Sequence, residues 1–169
     1  MVEIVPPRLS QSFCLLICSF MHLIAVIFER PMGNTSATEG CPCGWRRFRL
    51  RCFHYISQGR SWVDAQIHCI HLGGSLASIH SLREYCFVQN VTRGLGNNFP
   101  LAWIGGTDAP QGKWIWVDGT PFDFTKWAPG QPDNYGGEHC LEMNFGDQKL
   151  WNDIPCKKHN PSVCARRAS

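Results

Sequence analysis

Between Gly130 and Cys140 the chain reads GQPDNYGGEHC, and a little further on it reads Trp151-Asn152-Asp153. Gln131, Asp133 and Glu138 from the first stretch, with Asn152 and Asp153 from the second, supply three carboxylates and two amide oxygens. Calcium takes about six to eight oxygen ligands of these kinds, completed by backbone carbonyls and water. No thiolate or imidazole is needed, so the donor set favours a hard cation over zinc or copper. Acids in a Gly/Pro-rich turn usually just face water. Here they sit in a loop running from Asp123 to His139 with no helix or strand pattern. Loops of that length are uncommon in a compact domain unless they have a function. A Ca2+ site is therefore the expectation.

The elements that must position these residues follow from pattern. Trp45 to Ile56 alternates, with Phe48, Leu50, Phe53 and Tyr55, and predicts one or two strands. Ser61 with Asp64 opens a first helix, stopped by Gly73-Gly74. Val63, Ile67 and Ile70 repeat at helical spacing along it, and so do Trp62, Ala65 and Cys69. Ser81 with Glu84 opens a second helix, ended by Gly94. Strands are predicted over 101–104, 113–117, 140–145, 150–152 and 162–165. Two helices followed by antiparallel strands give an α+β domain.

Length and composition bound the function. At 169 residues the chain holds one ordinary domain and a short extra segment. With 44% apolar residues and seven Trp it can bury a real core. A net charge of +3 is too small to argue for nucleic acid. Arg46, Arg47, Arg49 and Arg51 cluster beside the first strand. They read as a solvated strand edge or as an attraction for acidic glycans or anionic lipid. His68 and His71 read as an exposed helical face. No nucleophile–base pair, phosphate loop or pair of catalytic carboxylates stands out, so no enzyme is expected.

Ten cysteines are present. Cys14 and Cys18 fall in the apolar run from Ser12 to Phe28, and the other eight have no zinc-knuckle spacing. A disulfide framework in an oxidising compartment is the better reading. The apolar run reads as a secretory signal, with a short type II membrane anchor as the alternative. Residues 1–37 are thus assigned to a signal peptide or signal-anchor with linker, and 38–169 to the domain. Asn34 and Asn90 begin N-glycosylation sequons.

Across this domain the chain resembles a C-type lectin-like domain. The resemblance is carried by Ser61-Trp62-x-x-Ala65 with Cys69, Trp103-Ile104-Gly105-Gly106, Trp114-x-Trp116-x-Asp118-Gly119, Gln131-Pro132-Asp133, Cys140, Trp151-Asn152-Asp153, Cys156 and Cys164. Fish single-domain lectins and fish type II antifreeze proteins are the most similar groups. The resemblance implies a disulfide-stapled fold of two helices, antiparallel sheets and a long calcium-binding loop. It implies bridges Cys69–Cys164 and Cys140–Cys156, and Cys52 paired with Cys41 or Cys43. Cys86 and one N-terminal cysteine are left over, for a further bridge, a disulfide-linked homo-oligomer or, at Cys86, a buried free thiol. Two extra antifreeze bridges are missing, because Ala109, Ala128, His139 and Leu150 stand near their positions.

The resemblance also assigns Gln131, Asp133, Glu138, Asn152 and Asp153 to calcium and sugar together, with a cis bond before Pro132. Loops with Glu-Pro-Asn favour mannose-type hydroxyls, and Gln-Pro-Asp favours galactose-type ones. Tyr135 stands where an aromatic ring covers the apolar face of galactose, or else it only packs the loop. The implied protein is a secreted calcium-dependent lectin for galactose-type glycans on microbial or cell surfaces, acting in innate defence. An ice-binding antifreeze protein is the alternative. Against it, Asn134-Tyr135-Gly136-Gly137 contains no Thr.

Overall fold

The computed structural model describes residues 40–93 and 98–169. Along the chain these form β1 (Arg46–Phe48), β2 (Arg51–Arg60), α1 (Trp62–His71), β3 (Ser75–Leu76) and α2 (Leu82–Thr92). Then follow β4 (Ala102–Thr107), β5 (Ile115–Trp116), β6 (Cys140–Phe145), β7 (Leu150–Ile154) and β8 (Asn160–Arg167). The apolar run, the assigned boundary at residue 37 and Asn34 lie outside the described residues. Among the described residues no helix is long and apolar enough to cross a membrane.

Both helices start where their caps predict. The Ser61 hydroxyl accepts the Asp64 N–H at 3.2 Å and donates to the Asp64 carboxylate at 2.5 Å. Of the two apolar stripes on α1, the fold buries Trp62, Ala65 and Cys69 and leaves Val63, Ile67 and Ile70 outside. The choice follows from bonds that only one stripe can make. Cys69 bridges to Cys164, and the Trp62 indole donates to the Ile104 carbonyl at 2.9 Å. On α2 the Ser81 hydroxyl accepts the Glu84 N–H at 3.2 Å. Glu84 reaches back past the cap to the His80 N–H at 2.8 Å, and its other oxygen takes Arg51 at 2.8 Å.

The strands form one sheet in the order β1-β2-β8-β4-β6-β7, with β3 added on β8 and β5 on β4. Pairing is antiparallel as expected, with one correction: β4 runs parallel to β8, with Trp103 opposite Ser162. A parallel pair needs a long crossover, and the whole region between these strands, the long loop included, provides it. Gly74 and Gly105 let backbone approach backbone where β3 joins the sheet. A Cβ on Gly74 would lie 2.2 Å from the Ala165 carbonyl oxygen, and one on Gly105 would lie 2.7 Å from that of Leu76.

The bridges Cys69–Cys164 and Cys140–Cys156 form as implied, and Cys41 is the partner of Cys52. Cys43 is exposed and free. The reading of Cys86 as a free thiol is corrected: it is buried on α2 and disulfide-bonded. The basic cluster is also partly structural. Arg51 pairs with Glu84, Arg46 donates to the Asn90 carbonyl at 2.8 Å, and Arg46, Arg49 and Arg51 each lie over a phenylalanine ring. At the second sequon the Asn90 amide donates to the Cys86 carbonyl, and Thr92 is buried.

Candidate metal centre

The centre is built where the long loop folds back on β7. Trp151 anchors that strand. It is fully buried and meets Tyr85, Trp116, Phe124 and Trp127 edge-on. Its backbone N–H donates to the Lys126 carbonyl, and its carbonyl accepts the Ala128 N–H, each at 2.8 Å. The loop is therefore held to β7 on both sides of Trp127, just before Gly130. At the other end Cys140 is tied to Cys156 and paired in the sheet with Ile154.

Between these anchors the turn is set by local bonds. The Gln131–Pro132 peptide bond is cis. The Asp133 N–H donates to Asp153 Oδ1 at 3.2 Å, and the Asn134 N–H donates to Asp153 Oδ2 at 2.8 Å. The Gln131 side-chain amide donates to Asp133 Oδ2, and Asp133 Oδ1 accepts the Tyr135 N–H. Asn134 takes the left-handed conformation at φ 49°, and its side-chain oxygen accepts the Glu138 N–H at 2.8 Å. Gly136 and Gly137, both at positive φ, close the turn between them.

This brings oxygens of Asp133, Glu138 and Asp153 within 4.8 Å of one another. Asp153 is fully buried, Glu138 half-buried and Asp133 exposed. Among the described residues no basic side chain pairs with any of the three. Desolvation, then the charges of Asp153 and Asp133, push the Glu138 carboxyl above its ordinary range. Like charges held this close favour a cation between them, and the all-oxygen donors suit calcium. The residues present thus fit the ion.

Asn152 lies on the buried part of β7, directly opposite Glu142. Its Nδ2 donates to Glu142 Oε1 at 3.1 Å, and Asn160 donates to Glu142 Oε2 at 2.8 Å. Burial raises the Glu142 carboxyl, and these two amide donors partly offset it. Sequence reasoning misses Glu142, whose place opposite Asn152 is set by the register of β6 on β7. Asn134 was missed as an organiser because it looks like an ordinary turn residue. His139 meets Asp108 at 2.8 Å beside the loop. Tyr135 is 82% exposed at the rim.

The family model for the Lectin C-type domain matches residues 58–166. Ladderlectin of Oncorhynchus mykiss is 46% identical over 124 residues, covering 72% of this chain and 65% of that protein. The chain thus spans just under two thirds of ladderlectin's length. The galactose-specific lectin nattectin of Thalassophryne nattereri is 40% identical over 132 residues, 77% of this chain and 82% of that one. The structure of herring type II antifreeze protein superposes with a TM-score of 0.72 at 41% identity, covering 76% of this chain and all of that one. This chain belongs to the C-type lectin domain family.

Proposed function

We propose that this protein is a secreted, calcium-dependent lectin for galactose-type sugars on microbial or cell-surface glycans. The observation that carries the reading is the convergence of Asp133, Glu138 and Asp153 at the Gln131-Pro132-Asp133 turn without a counter-charge. Asp133, Glu138 and Asp153, with the Gln131 and Asn152 side chains, would hold a calcium ion, which when bound would supply a Lewis acid for two adjacent sugar hydroxyls. Asp133 and Glu138 accept hydrogen bonds from those hydroxyls, and the Gln131 and Asn152 amides donate to them. The order of amide before carboxylate at 131 and 133 is the basis for expecting galactose over mannose. Asp153 stays buried beneath and holds the loop backbone. Tyr135, exposed beside the carboxylates, is available to cover an apolar sugar face. The disulfides fit an oxidising, extracellular compartment.

A second reading, ice binding, is favoured by the similarity to the herring antifreeze protein. Ice binding wants a flat face, and Tyr135 stands out from the loop at 82% exposure. Loading on galactose and mannose resins with calcium, then eluting with EDTA, separates the readings. Retention on galactose alone, released by EDTA, is expected. Retention on mannose alone would refute the sugar preference. No retention, with thermal hysteresis in solution, would establish ice binding instead.

A further inference from the structure

A pocket separate from the candidate metal centre lies at the far end of β8. It has a volume of about 260 Å³ and is lined by Arg51, Arg166, Arg167 and Asp118 with the Gly73-Gly74-Ser75 turn. Asn160, at the other end of β8, holds Glu142 under the candidate metal centre. Seven residues of strand, at roughly 3.3 Å each, put the two sites ~23 Å apart.

The charges of this pocket do not balance. Arg51 and Arg167 face each other directly across antiparallel β2 and β8. Like charges in that relation are destabilising. Glu84 and Ser78 engage Arg51, and Asp118 lies 3.9 Å from it. Arg166 gives one N–H to the Leu72 carbonyl at 3.3 Å and lies across Gly73, which takes φ +79°. The Arg167 side chain is exposed and has no hydrogen bond or ion pair among the described residues. Three guanidinium groups thus share a concave wall with one carboxylate that the Ser78 and Thr120 hydroxyls already occupy.

We infer that this pocket binds an oxyanion, the sulfate ester or carboxylate of an acidic saccharide, independently of calcium. Guanidinium groups match planar and tetrahedral oxyanions through paired N–H donors. The volume lies below the ~300–1,000 Å³ of drug-sized pockets, so it suits one acid group and part of the ring that bears it. Only the choice of a saccharide as carrier rests on the glycan reading above.

The test is an amide-resonance titration of the full domain in EDTA at constant ionic strength. The probes are inorganic sulfate, a sulfated disaccharide and a sialylated trisaccharide. Saturable shifts at Gly73, Gly74 and Ser75 are expected with sulfate and more strongly with one saccharide, which identifies the acid group. Arg167→Ala should weaken them about tenfold, as for loss of one charge-assisted bond. Lys157→Ala removes the same charge from an exposed site elsewhere and should leave them unchanged. Shifts that grow without saturating, or equal weakening in both variants, would overturn the site. Shifts with sulfate but neither saccharide would overturn the saccharide assignment and, the calcium being removed, say nothing against the first site.

Discussion

Asn134 is tied to Asp153, its backbone N–H donating to Oδ2 at 2.8 Å, while the adjacent Asp133 N–H reaches Oδ1 at 3.2 Å. One buried carboxylate on β7 therefore fixes the backbone of the turn and contributes an oxygen to the acidic cluster. Asp153→Asn keeps the volume but turns one acceptor into a donor. An unsatisfied buried amide costs about 1–3 kcal/mol. The unfolding free energy should fall by that amount, read as a lower urea midpoint at an unchanged slope, and calcium should no longer stabilise the variant.

Glu138 separates structure from function differently. Its carboxylate is crowded by desolvation and by Asp153 and Asp133. Glu138→Gln relieves that repulsion. In EDTA the variant should melt at or above the wild-type temperature, whereas in calcium the wild type should gain stability that the variant lacks. At a calcium concentration 100 times Kd the gain is about 2.7 kcal/mol. Thermal unfolding with and without EDTA reads both.

The sugar preference is assigned to two side chains. Exchanging Gln131→Glu and Asp133→Asn together reverses the order of donor and acceptor at the turn. Retention should move from galactose resin to mannose resin while calcium dependence is kept. The pair must be changed together, because the Gln131 amide donates to Asp133 Oδ2.

Acid stability should depend on Asp118. Burial pushes its carboxyl up, but the Ser78 and Thr120 hydroxyls, the Thr120 N–H and the Arg51 charge outweigh that and hold it below the ordinary value. A carboxyl lowered by folding contributes stability that is full above its unfolded pKa and is lost as pH falls through the folded one. Asp118→Asn should cost about 1–3 kcal/mol at neutral pH. It should also flatten the loss of stability below the ordinary carboxylate range, measured by urea unfolding across pH.

Much of this was legible in the chain, and the exceptions have physical causes. The caps at Ser61 and Ser81 marked both helices, because a hydroxyl three residues before an acid satisfies local bonds that need no tertiary partner. The outward face of α1 was not legible: two stripes had helical spacing, and only the bonds of Trp62 and Cys69 to distant strands select one. The two-residue β3 was missed because its pairing with β8 depends on glycines at close approach, not on an alternating pattern. In the candidate centre the acids could be named from residue type. Glu142, which holds Asn152, emerges only from the register of β6 on β7. The partner of Cys52 was open between Cys41 and Cys43, since both lie within reach of β2 along the chain.

The most direct test of the central claim is calorimetric titration of the metal-free wild-type protein, first with calcium and then with galactose. One calcium per chain, followed by galactose binding that EDTA abolishes, is the predicted result. Galactose binding of equal strength in EDTA, or no calcium binding at millimolar concentrations, would contradict it.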